Sequence, residues 1–245
     1  MFMFTVPRSR VAEGERLFAS LTDWVRRTHF HRGHLALARY GVFKGAARRS
    51  GVDPKSRKTR RTRYVLSQAY ARAAGLADHD KSMPQGWTDY NKFITWASKV
   101  RVTALRSGRV LQWLDNPAAH TTPGKSFAVV MAFTAKAKRV AEGDKLWASH
   151  TRWLAKHHAT TGDHALLYYS VSRGKERAHP LARRAYPDKY SVFVITAVFA
   201  SQAGLDDYFQ QMKTSWGDFK AFTHWAHRGK IAGLQGATVT HALWK

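Results

Sequence analysis

The sequence predicts an α+β protein built from two copies of one βαββαβ unit, on the strength of a duplication and of the way apolar runs alternate with amphipathic stretches. Val11-Ala12-Glu13-Gly14 recurs as Val140-Ala141-Glu142-Gly143. The same shift of 129 positions carries Trp24 to Trp153, Gly45 to Gly174, Gly75 to Gly204, Trp87 to Trp216 and Trp96 to Trp225. It lays Met1–Asn116 on Val130–Lys245 without a gap, with roughly three positions in ten identical. A period above about 100 residues is a domain rather than a solenoid turn. The predicted organisation is therefore a first repeat over 1–116, a linker over 117–129 and a second repeat over 130–245.

Each element follows from local pattern. Met1–Val6 is short and apolar and reads as a strand. Val11–His29 places Leu17, Leu21, Trp24, Val25 and Thr28 at helical spacing. Leu35–Phe43, bounded by Gly33 and Gly45, and Tyr64–Tyr70 read as strands that pair as a hairpin across the intervening segment. Gly75-Leu76 opens a helical region whose later part carries the stripe Trp87, Tyr90, Phe93, Ile94 and Ala97. A strand around Arg109–Leu114 closes the unit, and the order is that of a ferredoxin-like fold. The second unit repeats it over Ala128–Ala135, Val140–His158, Ala165–Ser172, Tyr190–Phe199, Gly204–His227 and Ala237–Trp244. Asp115–Ser126, with Pro117, Pro123 and Gly124, reads as the connection. Val192, Val194 and Val198 on alternate positions make one sheet face apolar and in need of cover. Two four-stranded sheets facing each other in one chain supply that cover, so the expected architecture is two tandem ferredoxin-like (βαββαβ) repeats forming an intramolecular dimeric α+β barrel.

Composition limits the function classes. The chain has no cysteine, which excludes disulfides, thiolate catalysis and Cys-ligated metal sites and fits a cytoplasmic location. No apolar run approaches the ~20 residues that span a bilayer, so membrane insertion is not expected. The formal charge of +25 predicts attraction to anionic partners. Lys44–Arg63 concentrates that charge and reads as a solvated loop, one that could be cut between Arg48 and Arg61 without loss of fold and that would bind nucleic acid weakly and without sequence preference. No dinucleotide fingerprint, Walker loop, Gly-x-Ser-x-Gly elbow or metal-ligand spacing occurs.

The element order, the strand-to-helix stretch Tyr64–Leu76 with its counterpart Phe193–Leu205, and the Trp-bearing later helix resemble the antibiotic-biosynthesis monooxygenase family. The resemblance implies a cavity between sheet and helices and an oxygenase that acts on an aromatic, polyketide-like or phenolic small molecule with dioxygen and no cofactor. Quinone-forming members carry Asn and Trp at positions matching Leu66 and Tyr70, and Ile195 and Phe199; the Asn is absent from both, and Gln68 with Tyr70 takes its place as donor set. Haem enzymes of the same fold carry an axial His on the second helix, and Phe219–His224 is similar to that helix, making His224 the ligand in the haem alternative. A third alternative is a basic protein that binds nucleic acid or another polyanion without catalysis.

Comparison of the halves points to the second. Leu21 becomes His150 and Thr28 becomes His157 on the first helix, while Thr95 and Ser98 become His224 and His227 on the last. His150, His157 and His224, with Gln68 and Tyr70, are the candidate catalytic residues, and His150 is the expected acid/base. Trp87, Trp216, Tyr40 and Tyr169 are candidate walls of a substrate pocket. His29 and His158 close their helices, where a cation would meet the C-terminal dipole.

Overall fold

A computed structural model of the protein describes residues 1–50, 56–177, 181 and 187–243. The described chain is a mixed α+β structure with nine strands and six α-helices. In chain order these are β1 (Phe2–Pro7), α1 (Val11–Thr28), β2 (Leu37–Arg48), β3 (Lys58–Tyr70), α2 (Ala73–Gly86), α3 (Tyr90–Ser98), β4 (Arg101–Ala104) and β5 (Arg109–Asp115). Then follow β6 (Phe127–Lys136), α4 (Val140–His157), β7 (Leu166–Arg177), β8 (Pro187–Phe199), α5 (Gln202–Ser215), α6 (Phe219–Ala226) and β9 (Ile231–Leu243). The shift of 129 carries the bounds of α1, β2, β3 and α2 onto those of α4, β7, β8 and α5.

All strands join one antiparallel sheet in the order β4-β1-β3-β2-β9-β6-β8-β7-β5. This corrects the expectation of two separate facing sheets. β9 is long enough to serve both halves: Ile231–Thr238 pairs with β6 and Thr238–Leu243 pairs with β2. β5 leaves its own half as well and pairs with β7. The sheet has to curl. Eight strand spacings of about 4.8 Å would put the edges of a flat sheet roughly 38 Å apart, yet the edge strands β4 and β5 are joined by residues 105–108, which reach about 18 Å at most.

Curling creates an inner face and an outer face. Met3, Phe43 and Val65 of the first half meet Val130, Leu167, Val194 and Val239 of the second inside the curl. The alternate valines of β8 thus point where their spacing required. Outside, α1 and α3 cover one half through Phe18, Leu21, Trp24, Phe93 and Trp96, and α4–α6 cover the other through Trp147, Leu154, Tyr208, Phe222 and Trp225. In each half a glycine admits an indole: a Cβ at Gly14 would lie 2.6 Å from Trp96, and one at Gly143 would lie 2.6 Å from Trp225. Those indoles donate to the carbonyls of Arg10 and Arg139, both at 3.1 Å, and pin the third helix of each half to the start of its first.

The basic segment also departs from expectation. β2 runs to Arg48 and β3 begins at Lys58, so most of Lys44–Arg63 is ladder rather than loop; residues 51–55 lie outside the described residues. Backbone pairing fixes it, with Ala46 opposite Thr62 and Pro7 opposite Arg61. Cutting from Arg48 to Arg61 would remove part of two strands. In the second half the last strand begins at Ile231, earlier than Ala237, and its expected end at Trp244 lies outside the described residues. No helix among the described residues is long and apolar enough to cross a membrane.

Candidate active site

The two halves differ in what lies between sheet and helices. In the first, a cavity of about 520 Å³ is bounded by β3, α2, α3 and the 105–110 segment and reaches across to Tyr168, Ser170 and Ser172 of β7 and Val194 and Thr196 of β8. In the second, the matching space is about 80 Å³. Register explains part of the difference. The β1–β3 ladder stops at Phe2 opposite Leu66, which leaves Ser67–Tyr70 without a partner on that side, whereas β6 pairs with β8 as far as Phe127 opposite Phe199. Side chains explain more: Phe18, Tyr70 and His79 of the first half are matched by Trp147, Phe199 and Tyr208, and Asp80 by Phe209.

Gln68 and Tyr70 line the large cavity together, as their alternation on β3 predicts. Gln68 Nε2 and Tyr70 Oη are buried and have no hydrogen-bond partner. A buried donor without a partner costs about 1–3 kcal/mol, which a bound acceptor recovers. Burial, reinforced by Asp80, Tyr40 and Asp78, pushes the Tyr70 phenol far above its ordinary range, so it stays protonated and can donate.

Beside them sits a residue the sequence comparison passed over. His79, on α2 and only 4% exposed, lines the cavity and accepts or donates a bond of 2.7 Å from its Nδ1 to His29 Nε2. The proton can be placed. Thr28 donates its hydroxyl hydrogen to the Trp24 carbonyl at 2.7 Å, so its oxygen accepts from His29 Nδ1 at 3.0 Å. His29 Nε2 is then the acceptor from His79 Nδ1–H. Burial lowers the pKa of His29, partly opposed by Asp78 and the Val25 carbonyl. His29 is therefore neutral near pH 7, which corrects the expectation of a capping cation. His79 was legible: the shift that set His150 against Leu21 also sets His79 against Tyr208.

The other predicted residues are dispersed. His150 is fully buried, its Nδ1 2.7 Å from Tyr169 Oη and its Nε2 3.2 Å from Tyr208 Oη, with Trp216 against its ring. Burial, with a smaller push from His158, lowers its pKa to about 3. It borders only the small second-half space, together with Trp216. His157 is exposed and lies against Trp153; His224 is exposed and lines neither cavity. Tyr40 is held by Thr22 at 3.0 Å, and Trp87 by Ser20 at 2.9 Å, in the core beside the large cavity rather than on its wall. His158 is lowered to about 4 by burial against the pull of Asp207, so it too is no capping cation. No cluster of three metal-ligating side chains occurs among the described residues.

No family model matches the chain, and no curated protein matches it in sequence. Solved structures do. An anthrone oxidase-like protein superposes with a TM-score of 0.58 at 16% identity, covering 99% of this chain and 90% of the other. A candidate monooxygenase from Lactobacillus acidophilus NCFM superposes at 0.53 with 7% identity, covering 99% and 94%. At such identities the likeness is one of fold, and function has to be argued from the site.

Proposed function

We propose that the chain is an oxidase of the monooxygenase type, built as two tandem ferredoxin-like repeats, that oxidises a phenol-bearing aromatic small molecule in the first-half cavity without a cofactor. One observation carries this reading. The His79–His29 dyad borders the same apolar cavity as two unsatisfied donors, Gln68 Nε2 and Tyr70 Oη. That set suits deprotonation of an activated carbon or phenol: His79 accepts the proton, and Gln68 and Tyr70 donate to the oxyanion that forms. Leu66, Met83, Phe93 and Ile94 supply the apolar wall an aromatic ring requires. The electron-rich carbanion then reduces dioxygen. For an anthrone-type methylene, CH₂ and O₂ become C=O and H₂O, so one oxygen atom enters the product, the other leaves as water, and the substrate is the only reductant. The resemblance in fold to an anthrone oxidase-like protein supports this substrate class.

Oxygen consumption with a panel of anthrones and polycyclic phenols tests it. Uptake should be one O₂ per product, and His79→Phe should lower turnover about a hundredfold, as loss of a general base does. Uptake no faster than the uncatalysed reaction across the panel would sink the proposal. A Soret band in the purified protein would favour the haem reading instead.

A further inference from the structure

We propose that the ligand of the large cavity carries a carboxylate, and that Arg109 and Arg72, with Arg106 behind them, form its subsite. This rests on the reading of that cavity as a site for an aromatic molecule. All three arginines line it, and among its described lining residues the one carboxylate, Asp80, pairs with Arg106 at 2.8 Å. Arg72 and Arg109 make no ion pair among the described residues. Arg109 is worse than unpaired. Its partner across the β5–β7 ladder is Arg173, which has Asp144 for itself and lies over the Phe193 ring at 5.9 Å. Like charges directly opposite each other destabilise a ladder, and an anion between cavity and rim removes that conflict.

The duplication supplies an internal control. At the positions that the shift of 129 makes equivalent to Arg72, Arg106 and Arg109, the second half carries Ser201, Gln235 and Thr238. The half without a large cavity lacks all three cations. Their presence in the first half therefore goes with the cavity rather than with the shared scaffold. A planar carboxylate matches the forked donors of a guanidinium and is less costly to desolvate beside apolar walls than a doubly charged group.

Fluorescence titration with 9-anthracenecarboxylate and its neutral analogue 9-anthracenemethanol, at pH 7 and low salt, reads both halves of the proposal. The wild-type protein should bind the acid about tenfold or more tightly than the alcohol, and Arg109→Gln and Arg72→Gln should each erase most of that preference while leaving the alcohol unchanged. Arg109→Gln should melt no lower than wild type, since it removes a like-charge opposition. Equal affinity for the two probes overturns the carboxylate subsite and leaves the aromatic site standing. Preference for the acid that survives both substitutions overturns the assignment to these arginines. If neither probe binds, the reading of the cavity falls with the subsite.

Discussion

At position 79 the first half carries an imidazole bonded to His29, and at the matching position 208 the second half carries a phenol bonded to His150. The first arrangement leaves room beside it and the second fills that room with Tyr208, Trp147 and Phe209. His150 stood out in the sequence because an imidazole replaced Leu21 on an apolar stripe, but a buried imidazole between two tyrosine hydroxyls is a satisfied core group. Its neutrality has a measurable consequence. His150 and His158 are lowered by burial to about 3 and about 4, so between these values and the ordinary histidine range the unfolded chain binds protons that the folded chain does not. Stability is then full above about pH 6.5 and falls as pH drops, by about 1.4 kcal/mol per pH unit for each group. His150→Gln keeps a donor and an acceptor for the tyrosines and removes one titration. Denaturant unfolding at pH 6.5 and 4.5 should show wild type losing about 2.3 kcal/mol more than the variant over that interval. Equal losses would mean that His150 is charged or solvated in the folded state. His79 was harder to see because its meaning depends on His29, fifty positions away on another helix, and no periodicity within one element connects them.

Among the elements, the helices α1 and α4 and the apolar strands β6 and β8 were legible because burial sets their pattern. Lys58–Arg63 was not, since this stretch is held by backbone pairing to β1 and β2 while its side chains, as far as Arg61, stay in solvent. The pairing of the last strand of each half was not legible for a different reason: β5 and the end of β9 pair with the other half, and strand exchange has no local signature. The exchange turns on one repeat position. Gly236 takes φ 65 and lets β9 bulge from β6 onto β2 without a break, while the equivalent Ser107 takes φ 60 and the strand divides there into β4 and β5. A non-glycine residue in the left-handed region is strained by about 1–2 kcal/mol. Ser107→Gly should relieve part of that and raise stability by about 0.5–1 kcal/mol, after the entropy that glycine adds to the unfolded chain. A variant that melts below wild type would show that Ser107 is held by contacts rather than tolerated despite strain.

In the whole molecule the +25 charge is spread over both halves, and its largest local concentration lies on paired strands instead of a detachable arm. The sharper asymmetry is between the interiors. One scaffold was used twice, and only the first copy combines a large cavity, unsatisfied donors and an imidazole dyad. The proposed oxidase activity requires that cavity to be where oxygen is used. Exchanging its residues for those of the other half, with His79→Tyr and Tyr70→Phe to match Tyr208 and Phe199, puts the second half's filling into the first. Oxygen uptake with an anthrone substrate by this double variant is the most direct measurement. The double variant should melt near the wild-type temperature with turnover reduced about a hundredfold or more; turnover retained within a few-fold in a folded double variant would remove oxygen chemistry from this cavity.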